Sequence, residues 1–374
     1  AHYVVGIGTA AYNYTNMPSV SIPKYVEKIG CWAFGRNSNL KTVNWLGDNT
    51  SFGVKVIGAS AFRSTNVDVV LPKTVICVEE GAYNGYVLSD GTGADDSAKK
   101  YARNKNATSF VLPSTLRYTG GDKSLGAGRT QFENDYMTLH IGGESSIVDM
   151  TTSFKRIGNS NGGDFDTLQL TKQFHRNNND NHMCWYTIII GRYIDEDDED
   201  GLTILQNFNE ITNDDNRAKT VVFPKGKLTL QQNCLNNSRS GALRIFLTDN
   251  ISDLTLEGSL GGNSGQNFVF LNLDEEQVPS SITSKISGNI YYRDTLTQSV
   301  ISTILSGVGS RTYTETVDEE TTVTKSESRM DAAVLALLTA GVKHLPRRQT
   351  PPSSPALLTQ NVVYTDRKED SDEK

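Results

Sequence analysis

The sequence has few of the residues that mark metal centres, disulfide frameworks or membrane spans. Its 374 residues include 4 cysteines and 5 histidines, and no two cysteines form a C-x-x-C pair. The thiols of Cys31, Cys77, Cys184 and Cys234 are therefore predicted to be structural, rather than zinc ligands or disulfide partners. No run of 18 apolar residues occurs, so no membrane-spanning helix is expected.

The sequence also has no excess of positive charge. Its formal net charge is −7, which argues against nucleic acid as the main partner because phosphate binding needs a basic face. The first residues show no basic stretch followed by an apolar run. No signal peptide is therefore expected within this chain, whether or not one was removed earlier.

Motifs of known catalytic sites are absent as well. Nothing resembles a nucleophile elbow, a P-loop or H-E-x-x-H, so we expect a non-enzymatic chain without catalytic residues, cofactor or metal. The stretch from Tyr3 to Ala11 contains the G-x-G-x-x-A pattern of dinucleotide sites, but Asn13, Asn16 and Pro18 interrupt the helix that such a site requires. The acidic run 195–200 is interpreted as a solvated loop, and whether it binds a cation stays open.

What the sequence does contain is a repeated phrase. Its copies run from Ile7 to Tyr12, from Ile29 to Phe34, from Ile57 to Phe62 and, more loosely, from Val78 to Tyr83. A second phrase alternates with it, in which two apolar residues flank a variable one before a proline. A period in the twenties with a fixed apolar skeleton predicts a stacked-repeat solenoid.

These phrases resemble the BspA-type leucine-rich repeat, in which V-x-I-P-x-x-V precedes I-G-x-x-A-F. The resemblance is strong over residues 1–116 and continues to residue 292 as strand phrases. Cys234 occupies the alanine position of a late copy, where a small buried side chain fits. The resemblance implies a leucine-rich-repeat solenoid of short parallel strands stacked into one curved sheet, with turns and short helices.

The same resemblance implies a function. BspA-like proteins are commonly surface proteins, so the chain is expected to be a non-enzymatic protein-binding or adhesion module. Its partners would then be host or matrix proteins, and its location extracellular or on the cell surface. The alternative is a structural component of a large assembly, such as a virion or a secretion-linked complex, that docks on its neighbours through the C-terminal tail.

Three segments are predicted along the chain. They are the solenoid at 1–292, a helical capping segment at 293–345, and a polar tail at 346–374 that is disordered unless a partner holds it.

The capping segment contains two predicted amphipathic helices. The first runs from Leu296 to Leu305, and the second is capped by Asp331 and stopped by Pro346. Residues 312–328 between them are rich in Thr and Glu and are predicted to be flexible or β-edged.

One row of strand residues is the candidate for partner binding. The middle residue of each strand phrase is expected to point outwards, and the last four middle residues are apolar. Two explanations of such a row stay open: the C-terminal helices cover it, or a partner protein docks on it. The helices are favoured because they follow directly. The candidate residues are Ile189, Val222, Phe246 and Phe270, preceded by His140 and Gln169.

Overall fold

A computed structural model describes residues 3–47, 51–67, 69–83, 109–120, 137–143, 145–158, 166–170, 185–194, 201–208, 220–236, 240–262, 265–316, 322–328 and 330–343. The strands of the repeats are β1 Gly6–Ile7, β2 Ser19–Ile22, β3 Lys28–Ile29, β4 Thr42–Trp45, β5 Val56–Ile57, β6 Cys77–Val78, β7 Ser109–Leu112, β8 Tyr118–Thr119, β9 Met137–Ile141, β10 Thr151–Thr152, β11 Arg156–Gly158, β12 Thr167–Gln169, β13 Trp185–Ile190, β14 Arg192–Tyr193, β15 Leu202–Ile204, β16 Thr220–Phe223, β17 Leu228–Leu230, β18 Leu243–Phe246, β19 Leu254–Leu256, β20 Asn267–Phe270 and β21 Asn289–Tyr292.

The C-terminal elements are the helices α1 Ser280–Thr283, α2 Gln298–Val308 and α3 Ala332–Lys343, and the strands β22 Ser310–Thr316 and β23 Thr322–Ser328. Short 3-10 turns lie at Gln206–Phe208, Ile251–Asp253 and Glu275–Gln277.

Each repeat contributes strands to two sides of the molecule, which we call the front and the back. The front has a seven-stranded parallel sheet in the order β21-β20-β18-β16-β13-β9-β7, and the parallel pair β2–β4 belongs to the preceding repeats. The back has two five-stranded parallel sheets, β1-β3-β5-β6-β8 and β12-β11-β15-β17-β19. The predicted solenoid of short parallel strands is confirmed.

Glycine at the second position of the repeat phrase sets the spacing of neighbouring coils. A Cβ atom at Gly30 would lie 2.6 Å from the carbonyl carbon of Gly8, and one at Gly58 would lie 2.7 Å from the carbonyl oxygen of Ile29. Both amides also donate hydrogen bonds to the coil before, at 2.8 Å to Ile7 and 2.9 Å to Ile29. The coils can therefore approach this closely only where no side chain intervenes.

The fourth position of the phrase turns the chain and adopts the left-handed conformation in every clear copy. The φ angles are 55° at Ala10, 56° at Trp32, 56° at Ser60 and 67° at Gly81. A residue with a side chain gives up about 1–2 kcal/mol in this conformation relative to the right-handed region. Small residues or glycine are therefore expected at this position, and Trp32 is the exception.

The sixth position of the phrase builds a ladder of stacked aromatic rings through the core. The ring centroids are 5.3 Å apart between Tyr12 and Phe34, 5.3 Å between Phe34 and Phe62, and 5.2 Å between Phe62 and Tyr83. Phe34, Phe62 and Tyr83 are fully buried. Stacked buried rings explain why each repeat ends its phrase on an aromatic residue.

A second ladder runs through the later repeats, on the inner side of the front sheet. Its centroids are 5.1 Å apart between Phe223 and Phe246, 4.9 Å between Phe246 and Phe270, and 6.0 Å between Phe270 and Tyr292. Repeat packing of the same kind thus continues to the end of the front sheet.

Among the described strands, the back sheets depart from the repeat order at β12. β12 follows β11 in the chain but lies on its other side, between β11 and β8, where the amide of Asp166 donates to the carbonyl of Arg117 at 3.1 Å. The later back sheet therefore begins with β12, and no strand of the front sheet among the described residues lies between β11 and β12 in the chain.

The segment after β21 folds as two helices with a hairpin between them. The helix α2 is capped by Thr297, whose hydroxyl accepts from the amide of Val300 at 3.3 Å. β22 and β23 pair antiparallel, so the stretch that was predicted to be flexible or β-edged contains two regular strands. The structure has helices at Gln298–Val308 and Ala332–Lys343, where the sequence predicts two, while Pro346 and the polar tail at 346–374 lie outside the described residues.

Candidate interaction surface

The outward-pointing side of the front sheet carries one continuous row of residues. The strand registers align the middle residue of each strand with that of the next, so that one side chain per repeat lies in line. We call this the outward row. It consists of Val111, His140, Ile189, Val222, Ile245, Val269 and Tyr291.

Ile189 and Val222 lie in the outward row, as the sequence predicts, but the predicted orientation of Phe246 and Phe270 is wrong. Both phenylalanines point inwards and stack in the second aromatic ladder. The apolar run that surrounds each one made the phase ambiguous by one residue, and such a shift moves every side chain to the other face of the sheet. Ile245 and Val269 take the outward positions instead.

The predicted position of Gln169 on the front is also wrong. Its strand β12 belongs to the back sheet, paired with β11, whereas His140 pairs directly with Ile189 on the front. An apolar-x-apolar pattern fits a short strand on either side of a repeat, so the pattern alone could not assign the side. His140 is half-buried in the outward row.

The outward row is covered by the C-terminal helices from Ile189 onwards. Ile189, Val222, Ile245 and Val269 are completely buried, and they belong to one apolar cluster with residues of both helices. In this part of the row the helices shield side chains that the isolated sheet would expose to water. The helix residues of the cluster are Ile301, Ile304 and Val308 of α2 and Val334 and Leu338 of α3.

Asp331 connects the start of α3 to the front sheet. One carboxylate oxygen accepts from the amides of Ala333 at 2.9 Å and Val334 at 3.3 Å, which is the N-cap that the sequence predicts. The other oxygen accepts from the hydroxyl of Thr138 on β9 at 2.6 Å. A single side chain thus caps the helix and fixes its position on the sheet.

Among the described residues, none covers the front of the earlier repeats in this way. Ser21 and Asn44 are exposed and lie side by side, with the Asn44 amide donating to the Ser21 hydroxyl at 3.3 Å. Val70 follows them and is 56% exposed. We call these three residues the open front; it is more polar than the buried part of the outward row.

A cluster of alternating aromatic and guanidinium groups lies at the turn that follows the early back strands. The guanidinium carbon of Arg36 is 5.0 Å from the centre of the Tyr14 ring and 5.1 Å from that of Trp32. Arg63 lies over the same indole at 5.2 Å, and Arg36 also donates to the Tyr14 hydroxyl. We call these four residues the Trp32 cluster. It joins three successive repeats.

The sequence pattern did not predict the Trp32 cluster, although the sequence contains a signal for it. The fourth position of the phrase is Ala10, Ser60 or Gly81 in the other copies, and a bulky residue in the left-handed conformation is uncommon. An indole at this position of a repeat is therefore the anomaly that could have pointed to the cluster.

Burial shifts the pKa values of several titratable groups in the repeats. Burial raises the pKa of Cys234 to about 12 and that of Cys77 to about 11, so both stay protonated at neutral pH. Burial lowers the pKa of Arg244 to about 10, and its Nη1 donates to the Leu243 carbonyl at 3.1 Å. Cys184 lies outside the described residues, among which no group of three metal-ligating side chains occurs.

Comparison with protein families assigns the early repeats. Residues 5–90 match the model of the BspA type leucine rich repeat region, with six copies. These residues are a BspA-type leucine-rich repeat region. A search of curated proteins and a search of solved structures each gave no match.

The BspA-type region includes the open front and the Trp32 cluster, whereas the helix-covered repeats lie beyond it. The family suggests a protein-interaction or surface module. Within the described part of the chain, no helix combines the length and the apolar character that a bilayer crossing requires.

Proposed function

We propose that this chain is a non-enzymatic adhesion module of a surface-displayed protein, and that its BspA-type repeats bind a host or matrix protein. The observation that carries the proposal is the contrast within one repeat array. The early repeats present Ser21, Asn44 and Val70 to solvent, whereas the later repeats bury Val222 and its neighbours under helices of the same chain. A partner protein that binds the front would therefore contact the early repeats.

The composition of the open surface fits protein recognition. Solenoids bind through extended surfaces to which each repeat contributes one or two side chains. Protein interfaces are enriched in aromatic residues and arginine, and the BspA-type region displays Tyr14, Arg36 and Arg63 at its surface.

The experiment that tests the proposal applies the labelled full-length chain to intact cells and to cells treated with protease. The expected result is saturable binding that protease treatment removes. The variant Asn44→Arg with Val70→Asp should weaken it at least tenfold, because both side chains are on the open front. The matched control is Lys55→Glu, near the back strands. Saturable binding that survives removal of surface proteins would contradict a protein receptor, and the absence of saturable binding would contradict adhesion.

The alternative role as a component of a large assembly depends on residues 346–374. These lie outside the described residues, so that role stays a prediction.

A further inference from the structure

The Trp32 cluster has the properties of a binding site rather than of a packing motif. Its indole is only half-buried, and Tyr14 is 67% exposed. The left-handed backbone at this position is shared by Ala10, Ser60 and Gly81, which adopt it with less bulk. A small side chain therefore suffices for the turn, so the indole of Trp32 points to a role other than making the turn.

The charge of the cluster is uncompensated. Both guanidiniums are exposed, and neither forms an ion pair with another described residue. A guanidinium that stacks on a ring keeps the N–H groups at its edge available for a carboxylate. The rings hold the two side chains in place, which lowers the entropy lost when a ligand binds.

On these grounds we propose that the Trp32 cluster binds an acidic segment of a partner protein. The inference rests on the proposed protein-binding function and specifies the chemistry of the partner. Arg36 and Arg63 stand 5.1 and 5.2 Å from the centre of one indole. They are thus no more than about 10 Å apart, a span that acidic residues two or three positions apart in an extended peptide can bridge at ~3.3 Å per residue.

A peptide of known composition tests the proposal with the full chain. The probe is a fluorescein-labelled peptide of six Glu-Gly repeats, and its control is the same peptide with Gln in place of Glu. Fluorescence anisotropy at low salt should show binding of the Glu peptide alone, and added salt should weaken it because the contact is exposed. Equal binding of the Gln peptide would overturn the proposal.

Two sets of variants locate the site. Arg36→Gln with Arg63→Gln should reduce affinity for the Glu peptide at least tenfold. Lys24→Gln with Lys28→Gln removes the same charge elsewhere on the early repeats and should change affinity less than twofold. Equal losses in both double variants would mean diffuse attraction and contradict a defined site.

Trp32→Ser separates binding from folding, because serine occupies the same position in the next repeat. We expect an unfolding midpoint close to that of the parent and a fivefold or greater loss of affinity, although both arginines remain. Unchanged affinity would overturn the role of the ring.

Removal of residues 346–374 tests whether the chain's own tail, whose last nine residues include five acidic ones, is the occupant. Unchanged affinity supports an external partner, and increased affinity contradicts it. The cell-binding assay is independent of the peptide assay, so adhesion without peptide binding rejects this inference and leaves the proposed function standing.

Discussion

The early and the late repeats are packed in the same way inside but differ at the surface of the front. Both contain a ladder of stacked aromatic rings, with centroids about 5 Å apart in each. On the front, however, Asn44 is exposed in the early repeats, while Val222 is completely buried in the late ones. The repeat phrase thus determines how neighbouring coils stack. The polarity of the one variable side chain per strand determines whether the front is exposed to solvent or covered by the helices.

The largest expected effect is a buried charge beneath the helices. Ile245→Asp places a carboxylate in the cluster between the sheet and the helices, where no water solvates it. We expect a loss of about 4 kcal/mol or more in the free energy of unfolding. Asn44→Asp, at the corresponding strand position of the early repeats, should change it by less than about 0.5 kcal/mol. Denaturant titration of both variants measures the difference, and equal losses would remove the distinction between the two fronts.

The second-largest effect, loss of a buried aromatic ring, should be the same in the early and the late repeats. Phe62→Ala and Phe246→Ala each remove a buried ring from an aromatic ladder, and each should cost about 3–5 kcal/mol. A loss below about 1 kcal/mol for Phe246→Ala would mean that its ring points outwards. The measurement is again denaturant unfolding, with Tyr12→Ala as a control at the partly exposed end of the first ladder.

A smaller effect concerns the spacing of the coils. Gly30→Ala forces a methyl group against the backbone of Gly8 and should cost about 1–3 kcal/mol. Gly8→Ala places the same methyl group where no other atom lies within 4 Å, so its cost should stay within about 0.5 kcal/mol. Thermal unfolding of the pair compares them at one position of the repeat. If the two variants melt alike, the glycines do not set the spacing.

The smallest effect concerns the attachment of α3. Asp331→Ala removes the N-cap and the bond to Thr138, and it should cost about 0.5–2 kcal/mol. Asp331→Asn keeps a good cap and serves as the control. Hydrogen exchange should show faster opening of the helix in the alanine variant alone, and unchanged exchange there would contradict the role of Asp331.

The sequence predicts the repeats well because their phrase is local. The glycine at the second position and the aromatic residue at the sixth are each required by the stacking of one turn on the next, so the aligned copies reveal them. The N-cap of Asp331 is recognisable for the same reason.

The phase of the late strands could not be predicted in the same way. In Leu243–Phe246 and Asn267–Phe270 nearly every residue is apolar because both faces are buried, and periodicity loses its meaning when both faces are apolar. The recurrence of one aromatic residue per repeat, from Phe223 to Tyr292, was the better guide. The position of β12 in the back sheet depends on how the chain connects successive strands. A short apolar phrase carries no information about that connection.

Thiol labelling in the native state tests the contrast between the two fronts most directly. Cysteine is introduced at Asn44 in one variant and at Val222 in another, and the rate of modification at each site is followed by peptide mass analysis, which separates it from the native thiols. The structure predicts that the thiol at position 44 reacts nearly as fast as a free thiol, while the one at position 222 reacts only as fast as the protein unfolds. Rapid modification at position 222 under native conditions would show that the helices do not cover the late repeats and would contradict the account.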